Sequence, residues 1–101
     1  MKQIIKNSFA YLNPAQVDQF DFFFHFLKEW NEKMNLVSRK NFDINFLNLL
    51  SISLFMGEKI SPYNSLVDVG AGAGFPSIPL KILNNRAEII QIEPDKKKVY
   101  F

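Results

Sequence analysis

Three glycines at alternate positions, Gly70, Gly72 and Gly74, follow the apolar run Leu66-Val67-Asp68-Val69 and precede Phe75-Pro76. A strand that runs straight into a glycine loop and then into a helix start is the local order of a nucleotide-cofactor cradle. Glycine accepts positive φ and lets backbone approach a ligand with no Cβ in the way. Alternating glycines therefore make a tight turn whose amides can line a cofactor. The stretch Ala87-Glu88-Ile89-Ile90-Gln91-Ile92-Glu93-Pro94 then reads as a short β-branched strand ending in a carboxylate, 23 residues after Gly70. That offset is close to the ~20 residues expected of a ribose-binding acid. Glu93 is accordingly expected to accept hydrogen bonds from vicinal sugar hydroxyls. Adenosine and nicotinamide-dinucleotide sites share that task, so Glu93 does not separate them.

The glycine spacing does separate them. A dinucleotide fingerprint wants glycine at the first, third and sixth positions, and here the sixth is Phe75. No Lys-Ser/Thr pair follows the loop, so nothing in it is built to neutralise a triphosphate. An acidic residue two places before the first glycine, here Asp68, followed by G-x-G-x-G, is the pattern of class I methyltransferases that use S-adenosylmethionine. That cofactor carries no phosphate, and its amino-acid carboxylate can use free loop amides and the positive end of the next helix. A nicotinamide-dependent oxidoreductase is the competing enzyme reading, and Phe75 speaks against it.

These residues must be held by two strands, Leu66 to Val69 and Ala87 to Glu93, joined through a short helix over Pro76 to Leu83 that ends at Asn84-Asn85. Residues 62–101 thus read as the first βαβ part of a cofactor-binding domain, and residues 1–61 as an N-terminal helical segment. In that segment Asn13-Pro14-Ala15-Gln16 offers a capping box with proline at the first helical position, and the helix is expected to run to about Met34. Val17, Phe20, Phe24 and Leu27, with Phe23, Trp30 and Met34, recur at helical spacing, while Phe22 and Phe26 widen the apolar face beyond the needs of one partner. We read these aromatics as core, with RNA stacking as the lesser alternative. A second helix is expected from about Asp43 to Met56, stopped by Gly57, with a linker from Gly57 to Ser65. His25 has no sequence partner that suggests a metal site or a nucleophile.

With 101 residues, the chain allows one ordinary domain or an incomplete larger one. Two strand candidates are few for a sheet covered on both faces. We therefore expect a truncated chain, one completed by another polypeptide, or a non-catalytic fragment. Apolar residues make up 48% of the sequence, eleven of them Phe, which is ample for a core. The net charge is +2, with seven basic against six acidic residues in 1–61 and five against four in 62–101, so charge alone gives no nucleic-acid signature. Lys96-Lys97-Lys98 is the only basic cluster, read as a solvated helix start, with a phosphate contact as the sharper alternative. The lack of cysteine excludes disulfides, thiolate catalysis and cysteine metal sites, and no metal is expected. Residues 1–12 lack the apolar core of a signal peptide, and Phe46 to Met56 is too short and too interrupted to span a bilayer. A cytoplasmic setting without membrane attachment is the expectation.

In order along the chain, Trp30-Asn31 with Asn35-Leu36, the run Leu66 to Leu80, Ile92-Glu93, Lys97-Lys98-Val99 and Phe101 resemble the RsmG/GidB family, bacterial guanine-N7 methyltransferases of small-subunit ribosomal RNA. The glycine run closing in Phe75-Pro76, with a second proline at Pro79, is more specific than the general methyltransferase loop. The likeness covers roughly residues 20–101 and implies an α/β class I, Rossmann-like fold, incomplete here and preceded by helices. It implies methyl transfer from S-adenosylmethionine to N7 of a guanine in 16S rRNA, with ribosomal RNA or the small subunit as partner. By position Gly70 and Phe75 match cofactor-contacting sites, Gly72 and Gly74 shape the same loop, and Glu93 matches the strand-end acid; Asp68 completes the expected cofactor set. Three departures stand out: Asn48 to Ile52 replaces a segment with a His and an Asp-Ser, Ser77 stands where glycine is usual, and family members are about twice as long. No general base is named, because guanine N7 already carries a lone pair and the sulfonium is strongly activated, so alignment and electrostatics suffice.

Overall fold

The computed structural model describes residues 1–34, 37, 40–69 and 73–93. Along these the chain forms α1 (Lys2–Ser8), α2 (Pro14–Met34), α3 (Phe42–Ile60), β1 (Ser65–Val69), α4 (Ser77–Leu83) and β2 (Glu88–Ile92). The two strands pair in parallel, with Ser65 opposite Glu88 and Val69 opposite Ile92. A parallel pair needs a crossover connection, and α4 supplies it. Four helices and a two-stranded parallel sheet among the described residues are compatible with an incomplete α/β fold.

Helix α2 begins where the capping box places it. The Asn13 side-chain oxygen accepts the Gln16 backbone N–H at 2.8 Å, and the Gln16 side-chain oxygen accepts the Asn13 backbone N–H at 3.0 Å. Two amides with no intrahelical acceptor are thereby satisfied. The apolar positions of α2 are split as their spacing requires: Val17, Phe20, Phe23, Phe24 and Leu27 are buried, and Phe22 faces solvent at 70% exposure. Helix α1 folds back on α2, with Ile5 fully buried between them.

The main core joins α1, α2 and α3 through Ile5, Phe20, Phe24, Leu27, Phe42, Phe46 and Leu50. Phe24 lies edge-on to Phe46 with ring centroids 5.0 Å apart, a favoured aromatic geometry. Each fully buried Phe or Leu contributes about 1.5–3 kcal/mol of transfer free energy. Phe75, Ile78, Ile82 and Leu83 pack against this cluster from the far side of residue 61, so the core crosses from the helical segment to the residues after the glycine loop.

Helix α3 differs from its sequence-based expectation. It continues through Gly57 to Ile60, because Gly57 is buried at the crossing with α4 rather than free to end the helix. The linker is correspondingly short, residues 61–64. Tyr63, Leu80 and Ala87 form a second small core with Leu66 and Ile89 against it. The Tyr63 hydroxyl donates to the Leu80 carbonyl at 2.6 Å, and the Asn84 side-chain amide donates to the Tyr63 carbonyl at 2.8 Å. The opposite face of the sheet is open: Val67, Val69, Ile90 and Ile92 are each about half exposed or more. Among the described residues no helix is long and apolar enough to cross a membrane.

Candidate cofactor site

The carboxyl ends of parallel strands are where open α/β sheets bind ligands, and two of the expected acids lie there. Asp68 is the penultimate residue of β1, and Glu93, half-buried, follows the last residue of β2. Leu66 and Asp68 alternate with exposed neighbours along β1, so Asp68 lies on the side packed under α4. Opposite it in the ladder stands Gln91. One oxygen of the Asp68 carboxylate, Oδ2, is buried without a hydrogen-bond partner. A buried carboxylate oxygen left unpaired is costly, so it is a place where a ligand or a donor brought by a ligand would be gained.

Gly74 marks the exit of the glycine loop into α4. Its φ is +93°, a conformation L side chains rarely adopt, and a Cβ there would stand 2.4 Å from Ile78 Cδ1. The dihedral angle strains any L side chain at this position, and a Cβ would in addition require the end of the Ile78 side chain to shift. The Gly74 carbonyl accepts the Ile78 backbone N–H at 2.8 Å, which starts the first turn of α4. Gly70 and Gly72 lie outside the described residues, as do Lys96, Lys97 and Lys98.

Phe75 is turned to the helical core. Its ring centroid lies 5.2 Å from that of Phe23 and 5.8 Å from that of Phe46. The residue that follows the glycines thus anchors the loop to α2 and α3, a packing role the spacing of the sequence does not announce. Asn31, in the Trp30-Asn31 pair, is buried, and its side-chain oxygen accepts the Val37 backbone N–H at 2.7 Å, closing the end of α2.

Two residues not singled out as site residues from the sequence also converge here. Ser77, the first residue of α4, is 2% exposed, and its hydroxyl accepts a hydrogen bond from the Gln91 side-chain amide. The available signal was Gln91 itself, a polar residue inside the apolar run Ile89 to Ile92 on the same face as Glu93. Asp68, Pro76 and Ser77 line a cavity of about 230 Å³ with Met56, Leu66 and Leu80. His25 pairs only loosely with Asp21, at 3.5 Å, and no group of three metal-ligating side chains occurs among the described residues.

The described residues thus form a parallel βαβ unit, compatible with an incomplete α/β fold, with a positive-φ glycine at its helix entry and acids at both strand ends. Comparison with known proteins narrows this. The family model for rRNA small subunit methyltransferase G, GidB, matches residues 16–101, and the chain belongs to that family. A ribosomal RNA small subunit methyltransferase G from Cytophaga hutchinsonii is 42% identical over 96% of this chain and 48% of its own length. Proteins of the same name from Aster yellows witches'-broom phytoplasma and Halalkalibacterium halodurans are 44% and 41% identical, over 96% and 89% of this chain and 46% and 39% of their own. The chain therefore spans less than half the length of these relatives. No solved structure matches it.

Proposed function

We propose that this chain is the cofactor-loop part of an S-adenosylmethionine-dependent methyltransferase that modifies guanine N7 in 16S ribosomal RNA. The observation that carries the reading is the glycine at φ +93° entering α4, set between a strand with Asp68 at its carboxyl end and a parallel strand followed by Glu93. Relatives named as small-subunit rRNA methyltransferases support the substrate class. Residues 62–101 then belong to a class I cofactor domain, and residues 1–61 form a helical segment that buttresses it through Phe75. An RNA substrate of this kind implies a cytoplasmic protein with the small ribosomal subunit as partner.

The residues present fit such a cofactor. The missing Cβ at Gly74 makes room for Ile78 and lets the loop turn sharply into α4, Asp68 has an unpaired buried oxygen, and Glu93 places a carboxylate at the end of β2 where the ribose hydroxyls would lie. Gly70, Gly72 and Phe75 complete the set that resemblance implies. Such a cofactor would supply an activated methyl group to the lone pair of guanine N7. No proton need be removed from N7, so the protein's part is to hold the two reactants in line and keep the sugar and amino-acid ends fixed. Calorimetric titration of the full-length protein with S-adenosylhomocysteine tests the reading. Saturable heat upholds it, and absence of heat from a cooperatively folded sample removes it.

A further inference from the structure

We infer that the hydrogen bond from the Gln91 side-chain amide to the Ser77 hydroxyl is a positioning tie, which fixes the start of α4, and with it the Gly74 turn, to the strand that carries Glu93. The inference takes its ligand from the methyltransferase reading and its geometry from the structure alone.

Gln91 lies two residues before Glu93, hence on the same side of the chain, and faces Asp68 across the ladder. Ser77 is sealed from water at 2% exposure, and a buried hydroxyl needs a partner. The Gln91 amide is that partner. The next residue, Ile78, donates its backbone N–H to the Gly74 carbonyl and fills with its side chain the space that a Cβ at Gly74 would take. An unbroken line of contacts thus runs from the Glu93 strand through Gln91, Ser77 and Ile78 to Gly74.

A two-ended ligand gives this line its purpose. A cofactor gripped at its sugar by the end of β2 and at its amino-acid end by the glycine turn binds well only if both grips are already at the right separation. The ladder fixes β1 to β2 but does not itself hold α4, whose carboxyl half is anchored by Tyr63, Asn84 and the crossing with α3. The Lys81 ammonium bonded to the Ala87 carbonyl ties α4 to the amino end of β2, and Gln91 with Ser77 ties it at the carboxyl end, beside the site. Gln91 and Ser77 are positioning residues, acting on the ligand through Glu93 and Gly74.

The test uses the full-length protein with Gln91→Leu, Ser77→Ala, the double variant, and Ser77→Thr, which keeps the hydroxyl. Two quantities are read: the Kd for S-adenosylhomocysteine and, without ligand, the exchange rate of the Ile78 amide. Each of the first two variants is expected to weaken binding about tenfold, the double variant no more than either, and Ser77→Thr to stay within about threefold of the parent. Ile78 exchange should quicken in Gln91→Leu and Ser77→Ala alike. Unchanged affinity in the single variants, losses that multiply in the double variant, or a Ser77→Thr loss equal to that of Ser77→Ala overturns the tie. Should the parent bind no S-adenosylhomocysteine, the methyltransferase reading fails by itself. Exchange at Ile78 then decides the tie alone, quickening upholding it and constancy refuting it.

Discussion

Gly57 and Leu80 meet where α3 crosses α4, so closely that a Cβ on Gly57 would stand 2.8 Å from Leu80 Cδ2 and 3.1 Å from Leu83 Cδ1. Leu80 is 3% exposed and part of a packed cluster, so a Cβ on Gly57 would push it toward the cavity that it lines with Met56 and Ser77. Alanine at a mid-helix glycine ordinarily gains about 1 kcal/mol from helix propensity. Here overpacking, typically about 1–3 kcal/mol, opposes and outweighs that gain. Gly57→Ala is expected to lower the unfolding free energy by about 1 kcal/mol in urea titration, and a more stable variant would contradict the crossing.

Gly74 faces two separate obstacles to substitution, its dihedral angle and Ile78. Gly74→Ala should raise the Kd for S-adenosylhomocysteine at least about tenfold, since the left-handed backbone costs an L-residue about 1–2 kcal/mol before any clash is counted. Adding Ile78→Ala removes the clash and leaves the dihedral cost. Affinity in that double variant should therefore recover only in part, and full recovery would show that φ is not the constraint.

The reciprocal cap at Asn13 and Gln16 holds the start of the longest helix. Asn13→Ala should cost about 1 kcal/mol of stability. Because each side chain caps the other's amide, Gln16→Ala made on that background should cost less than Gln16→Ala alone. Additive losses in chemical denaturation would refute the coupling.

Tyr63 links stability to alkaline pH. Burial raises its hydroxyl above the usual tyrosine range, and its proton is donated to the Leu80 carbonyl. The protonated form is therefore favoured by folding: its contribution is complete below the ordinary pKa near 10 and is lost as pH rises through the higher folded value. Tyr11, raised by burial and by Glu58, acts in the same direction. Tyr63→Phe should cost only about 1 kcal/mol at neutral pH, because the Leu80 carbonyl keeps the Asn84 backbone N–H at 3.1 Å. It should also flatten the fall in thermal midpoint above pH 10, and an unchanged slope would assign that fall elsewhere.

Much of the scaffold could be read from the residues because local rules and tertiary packing agree there. The capping box, the apolar spacing of α2, both strands and the short helix between them all appear within a few residues of expectation. The end of α3 could not be read in this way. Gly57 has the sequence look of a helix stop, and only the approach of α4 makes it a crossing point instead. The site divides along the same line. Gly74 and the strand-end placement of Asp68 and Glu93 follow from the glycine pattern and the strand period. The packing of Phe75 on Phe23 and Phe46 and the bond between Gln91 and Ser77 depend on residues brought together across the fold. Gly70, Gly72 and the Lys96 to Lys98 cluster lie outside the described residues.

The uncovered quartet of Val67, Val69, Ile90 and Ile92 bears on how the polypeptide behaves in a test tube. Water-facing β-branched side chains on a two-stranded sheet invite lateral association between molecules. Expressed as residues 1–101 alone, the polypeptide should precipitate or bind chaperones at modest concentration, and charged replacements at Val69 and Ile90 would be the first remedy for a biochemist who needs it monodisperse.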